Sequence, residues 1–220
     1  MLIAGIDEAG RGCVIGPLVV AGILVKEENL SALLELGVKD SKLLPAKKRE
    51  LLVPAILKLV EKQAIVKVSP QEIDRVVNSQ RRLHKLNRLE AESMAQIVDK
   101  LEPSLVYVDA ADVLERRFGE QISESVKVKT RIISKHKADQ TYPIVSAASI
   151  IAKVERDKEV SQLRIRYGDF GSGYLTDPKT LIFLQEWMKT HSEYPEWVRK
   201  SWKPAKRVKS AKGTTQLKLI

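Results

Sequence analysis

The chain has one cysteine, Cys13, three histidines, and aromatic residues amounting to only 5% of its 220 positions. A single thiol leaves nothing for an internal disulfide, which fits a reducing compartment. With no Cys/His cluster there is nothing to build a zinc site. Long uncharged apolar runs are missing too, so no membrane span is expected, and Met1-Leu2-Ile3 leads into a strand rather than a secretory leader. Acidic residues are the minority: 28 Asp and Glu face 38 Lys and Arg, a formal net charge of +10, with a pI of about 9.6. That balance points to a polyanionic partner. The chain is 44% hydrophobic and 30% charged, as in folded globular proteins, and is long enough for a proper core. The expectation is a soluble, cytoplasmic monomer with no membrane partner.

What is present begins with Ile3-Ala4-Gly5-Ile6-Asp7-Glu8-Ala9-Gly10-Arg11-Gly12. The apolar residues before Asp7 read as a buried strand, and the glycines as the turn that ends it. Two adjacent carboxylates there repel each other and lose water unless something cationic compensates. A divalent metal and Arg11 are the natural compensators, and glycines on both sides of Arg11 leave that backbone free to approach a ligand. Carboxylates for a metal beside a donor for phosphate or sugar is the layout of a phosphodiester-cutting site. A glycosidase also pairs carboxylates, but the basic balance and the Gly-Arg-Gly turn argue against one.

Further along, Gly16–Val25 reads as a second strand and Pro45 opens a helix, with a kink or boundary expected at Pro54. Ala64–Val68 reads as a strand. Ser69-Pro70 with Glu72 reads as a capped helix start. Leu86, Leu89, Met94, Ile97, Val98 and Leu101 mark one helical face ending near Pro103. Leu105–Asp109 is another strongly apolar strand. A helix over 112–124, a strand over 126–134 and a helix over Pro143–Tyr167 follow; Gly168–Gly173 breaks the last. Asp177-Pro178 caps a final helix to about Lys189. This order predicts an α/β domain with a mixed sheet. Lys203–Ile220 has six basic residues and no acidic one, and reads as a flexible basic tail.

Asp109 ends its strand in a carboxylate, where open α/β sheets place ligands. Asp139 follows Ser134-Lys135-His136-Lys137-Ala138, between a strand and a helix. Asp7, Glu8, Asp109 and Asp139 can therefore converge from three segments on one rim of the sheet. Oxygen ligands suit Mg²⁺ or Mn²⁺, and two ions roughly 3.5–4 Å apart suit displacement at phosphorus. Neighbouring side chains on a regular strand point to opposite faces, so Asp7 and Glu8 share a site only if the strand bends. His136 is expected to be structural rather than a ligand. Lys42 and Lys153 read either as phosphate contacts or as ordinary solvated lysines. For Arg81, Arg82, Lys85 and Arg88 a solvated helix face is the simpler reading.

Six motifs in order and spacing resemble ribonuclease HII of the archaeal type: Ile6–Gly12, Lys39-Asp40-Ser41-Lys42, Val108–Asp112, His136–Asp139, Ser146–Lys153 and Gly171-Ser172-Gly173-Tyr174. The likeness spans about residues 1 to 203. It implies an RNase H-like α/β fold: a five-stranded mixed sheet flanked by helices, with a small helical C-terminal part. Segments of 1–168, 169–203 and a tail of 204–220 are expected. It also implies cleavage of the RNA strand of RNA–DNA hybrids, and cleavage 5′ of single ribonucleotides in duplex DNA, leaving a 3′-hydroxyl and a 5′-phosphate. The family's metal-binding acids match Asp7, Glu8, Asp109 and Asp139. Its 2′-hydroxyl-reading motif matches Gly10, Arg11 and Gly12, and its junction-sensing tyrosine matches Tyr174; Ser41, Lys42 and Lys153 join the substrate contacts. Leu175 and Thr176 depart from the proline and serine usual after that tyrosine. Gln216, Leu219 and Ile220 resemble a shortened sliding-clamp motif. The alternative from another class is a catalytically silent hybrid-binding protein.

Overall fold

The computed structural model describes residues 1–38, 44–80, 83 and 85–216, with side chains described as far as Ser210. Five strands form one mixed sheet: β1 (Leu2–Ala9), β2 (Leu18–Lys26), β3 (Lys62–Val68), β4 (Leu105–Asp109) and β5 (Arg131–Lys135), in the order β3-β2-β1-β4-β5. β1 runs antiparallel to β2 and parallel to β4, and β4 runs parallel to β5. Helices α1 (Leu30–Glu35), α2 (Ala46–Lys58), α3 (Pro70–Val77), α4 (Lys85–Leu101), α5 (Glu115–Ser123), α6 (Ala138–Thr141), α7 (Pro143–Tyr167), α8 (Pro178–Thr190) and α9 (Lys203–Gln216) complete the order. Among the described residues, no helix is long and apolar enough to cross a membrane.

The chain divides into two compact units that interleave in sequence: Met1–Ala9, Val19–Lys67 and Arg82–Glu155 make the first, and Gly10–Leu18, Val68–Arg81 and Arg156–Ile220 the second. This differs from the expected segments of 1–168, 169–203 and 204–220. The reason is long-range pairing: Cys13 bridges to Tyr174 and Ile15 to Val198, which draws the residues after β1 into the second unit.

In the first unit the sheet is covered on both faces, so β2 is a continuous apolar run with every residue from Leu18 to Val25 buried. Residues on one face alternate with those on the other. Ile3, Ala21, Ile23 and Val25 pack with Val145, Ala148, Ile151 and Ala152 of α7. On the opposite face, a Cβ at Gly22 would meet Ile97 and Leu101 of α4. At Gly5, α7 lies close against the strand: a Cβ there would sit 2.5 Å from the Ile144 carbonyl carbon. Only glycine allows that approach.

Several boundaries move from their expected places. β2 starts at Leu18, not Gly16. Residues 126–130 are not strand, because Asp99 Oδ1 takes the Lys127 and Val128 amides at 2.8 and 3.3 Å. α5 starts at Glu115 rather than near Asp112, since the Asp112 carboxylate accepts the Leu114 N–H (2.9 Å) in a turn of its own. Pro54 does not interrupt α2; Glu50 and Pro54 are exposed, so water can serve the carbonyl that loses its helical partner. The expected tail is helical from Lys203 to Gln216.

In the second unit, Val14, Ile15, Val160, Phe170, Leu184, Met188 and Val198 form the core. Trp197 packs on Tyr167 and Phe170, with ring centroids 4.7 and 5.8 Å away. Both expected helix caps are present: Ser69 Oγ accepts the Glu72 N–H at 3.2 Å, and Asp177 Oδ1 accepts the Lys179 N–H at 3.0 Å.

Candidate active site

Three carboxylates of the first unit converge. Ligand oxygens of Asp7, Asp109 and Asp139 all lie within 4.8 Å of one another, with Asp7 and Asp139 buried. Asp7 comes from β1, opposite Ala21, and so shares the sheet face that α7 covers. Asp109 ends β4 and accepts the Ala138 N–H through Oδ1 at 2.8 Å. That bond ties the start of α6 to the end of β4. Lys137 takes left-handed φ and ψ values of 55° and 34°, turning the chain sharply so that Asp139 enters the first turn of α6.

Glu8 lies outside this triplet. Glu8 continues β1, opposite Val20. Its charge is still felt: burial first, then Glu8, then Asp109 push the Asp7 carboxyl well above its ordinary range, while a hydrogen bond from Ser149 works the other way. Ser149 is fully buried on α7 and its Oγ accepts from Lys153 Nζ at 2.8 Å. The spacing of four residues puts both on one helical face. Lys153 thus reaches the carboxylates through a hydroxyl, an arrangement the sequence reading did not single out, although the spacing was available in it.

Oxygen-only donors clustered at this separation fit a hard divalent cation, and a cation would relieve the repulsion that raises Asp7. Among the described residues, no histidine belongs to the cluster. The His136 ring contacts the Asp112 carbonyl through Nε2 at 2.8 Å and its amide donates to Glu115 at 2.7 Å, as a structural histidine does. Behind it, Asp112 is buried and bonded to Asn87 (2.8 Å), the Leu114 amide and Arg117.

The second unit holds the Gly10-Arg11-Gly12 turn and Tyr174. Gly10 has φ of +83°, and Gly12 is exposed. The Val14 and Ile15 amides donate to the Gly173 carbonyl at 2.8 and 3.2 Å. The turn is therefore followed by residues zipped to the segment that carries Tyr174. The Arg156 guanidinium lies 4.8 Å from the Tyr174 ring centre and donates to the Ser172 carbonyl at 2.6 Å. Burial pushes the Tyr174 hydroxyl up from its ordinary value, against the pull of Arg156; it stays a neutral donor at physiological pH. Ser41 and Lys42, like Arg81 and Arg82, lie outside the described residues, as do Leu219 and Ile220; only the backbone of Gln216 is described.

The family model for ribonuclease HII matches residues 4–205. The chain is 44% identical over 221 residues to the ribonuclease HII of Pyrococcus abyssi, covering 100% of this chain and 96% of that one. Among solved structures it is similar to ribonuclease H2 of Pyrococcus horikoshii OT3, with a TM-score of 0.88, 43% identity, and coverage of 96% and 98%. It is also similar to the ribonuclease HII of Archaeoglobus fulgidus solved in complex with PCNA, with a TM-score of 0.84, 43% identity, and coverage of 94% and 96%.

Proposed function

The chain belongs to the ribonuclease HII family, and on that premise we propose that it cuts RNA strands of RNA–DNA hybrids and single ribonucleotides in duplex DNA on their 5′ side. It has the RNase H-like fold and is a metal-dependent ribonuclease H. Cleavage leaves a 3′-hydroxyl and a 5′-phosphate. The observation that carries the reading is the convergence of Asp7, Asp109 and Asp139 oxygens within 4.8 Å. These three acids, with Glu8 as the fourth, hold two Mg²⁺ or Mn²⁺ ions. When bound, such ions supply an activated water and a charge sink for the leaving oxygen at phosphorus.

The protein's own groups do the rest. Ser149 orients the Asp7 carboxylate, and Lys153, held against Ser149 at 2.8 Å, adds positive charge beside an anionic substrate. Gly10, Arg11 and Gly12 read the 2′-hydroxyl, the one group that distinguishes RNA from DNA at a given sugar. Tyr174 donates to the same sugar and packs its ring on the neighbouring deoxyribose. Ser41 and Lys42 contact phosphates.

The partner is an RNA–DNA hybrid or a ribonucleotide-containing duplex in the cytoplasm, met by a monomer. The A. fulgidus relative is solved with PCNA, which supports a sliding clamp as a second partner here, engaged through Gln216, Leu219 and Ile220. Loss of clamp binding by the full chain on Leu219→Ala with Ile220→Ala is the expected result; unchanged binding removes the motif.

The deciding experiment is cleavage of a DNA duplex carrying one ribonucleotide, with Mg²⁺ and with EDTA. A single metal-dependent cut just 5′ of the ribonucleotide is expected. A duplex that is bound but uncut would instead support a silent hybrid-binding protein.

A further inference from the structure

Arg199 is wholly buried in the second unit and belongs to none of the motifs assigned above. Its guanidinium reaches four acceptors. Nη2 donates to Gly10 O at 2.7 Å, Nη1 to Arg11 O at 2.8 Å, Nε and Nη2 to Gly16 O at 3.2 and 3.1 Å, and Nη2 to Cys13 Sγ at 3.0 Å. Cys13 Sγ in turn donates to Gly10 O at 2.9 Å. Two of these acceptors are the carbonyls of the Gly10-Arg11-Gly12 turn itself.

A buried guanidinium costs several kcal/mol in desolvation before its hydrogen bonds offset it, and an apolar side chain of similar volume would often stabilise a fold as well. What an apolar side chain cannot do is fix three peptide planes of a glycine-rich turn at once. Glycine on both sides of Arg11 leaves that turn with the widest choice of conformations, so something must select one. The planar fork of an arginine is suited to it, whereas a lysine ammonium is a single point donor.

Arg199 is itself held. Its N–H donates to Val14 O at 2.8 Å. In the next two residues, the Lys200 and Ser201 amides donate to Asp74 at 2.7 and 2.9 Å, and Ser201 Oγ donates to the same carboxylate. Asp74 lies on α3. A line of hydrogen bonds therefore runs from α3, through residues 199–201, to the turn.

We propose that Arg199 is the positioning residue that sets the conformation of the ribose-reading turn, with Asp74 holding Arg199 in place. The proposal rests on the reading of Gly10–Gly12 as the 2′-hydroxyl reader. Its consequence is selective. A lone ribonucleotide offers one 2′-hydroxyl in one register, so a loosened turn misses it. A uniform hybrid offers one at every RNA nucleotide, so a loosened turn still finds a partner.

The test compares wild type, Arg199→Lys, Arg199→Gln and Asp74→Asn on two substrates, a single-ribonucleotide duplex and a uniform RNA–DNA hybrid. Thermal melting is followed alongside. The Arg199 variants should lose about tenfold more kcat/KM on the single-ribonucleotide duplex than on the hybrid, with Asp74→Asn shifted in the same direction by less. A merely structural role would lower both substrates together, in step with melting temperature, and that result overturns the proposal. Should the Arg199 variants fail to fold, Asp74→Asn decides: a changed substrate ratio supports the proposal and an unchanged one overturns it. A wild type that cuts the hybrid but ignores the single ribonucleotide overturns the reading of the turn, and the proposal with it; that failure is recognised in the wild-type lane alone.

Discussion

Ser149 joins Asp7 to Lys153: its hydroxyl bonds the Asp7 carboxylate and accepts from Lys153 Nζ at 2.8 Å. Ser149→Ala removes both bonds while leaving the helix and the four acids in place. Groups that orient metal ligands typically contribute 10–100-fold to affinity or rate. The expected outcome is an about tenfold rise in the Mg²⁺ concentration needed for half-maximal cleavage, read from a metal titration. An unchanged titration would mean that Ser149 only fills space.

Asp109→Asn should abolish cleavage and leave duplex binding intact. Its Oδ1 can still accept the Ala138 amide, so α6 and the turn at Lys137 keep their places. Only the negative charge is lost. A drop of roughly 10³-fold or more in kcat is expected, with binding checked by anisotropy of a labelled duplex. Turnover retained at saturating Mg²⁺ would take Asp109 out of the metal site.

Gly5→Ala tests how α7 is seated. The new methyl would fall 2.5 Å from backbone atoms of Ile144, which cannot rotate aside as a side chain can. Overpacking of this kind costs about 1–3 kcal/mol. A clear fall in melting temperature is expected, together with slower cleavage, since α7 carries Ser149 and Lys153. Wild-type melting would show that α7 can slide to make room.

Acid sensitivity should trace in part to Asp112. Burial opposes its charge, but hydrogen bonds from Arg117, the Leu114 amide and Asn87 outweigh that and hold the carboxyl below its ordinary value. A depressed pKa in the folded state means that the stabilisation is fully present above the unfolded value of about 4 and is lost as pH falls through the folded one. Asp112→Asn should therefore lower stability at neutral pH by about 1–3 kcal/mol and flatten its decline below about pH 4. Denaturant unfolding of both proteins from pH 2 to 7 checks this. Parallel curves would show that other carboxylates govern the acid limb.

Much of the site can be read in the chain, because its parts are local. Asp7 comes after the apolar run of β1, Asp109 ends β4, and Asp139 stands in the short helix after β5; each placement is close to what the residue pattern suggests. The caps at Ser69 and Asp177 are equally local. Errors arose where a distant side chain competed with a local pattern. The amides of Lys127 and Val128 look like strand but belong to Asp99. Arg199 gave no local sign, since its partners Gly10 and Arg11 stand 189 and 188 positions away.

By itself, then, the sequence determined the α/β class, the family, and which acids could hold a metal, because apolar periodicity and carboxylates at strand ends are written in neighbouring residues. Tertiary structure alone decided which of the acids meet. Oxygens of Asp7, Asp109 and Asp139 come within 4.8 Å of one another, and Glu8 is not in that triplet. Tertiary structure also decided that residues after β1 join the second unit, where Tyr174 and Arg199 shape the turn. Those outcomes depend on pairings across more than a hundred residues, which no local pattern encodes.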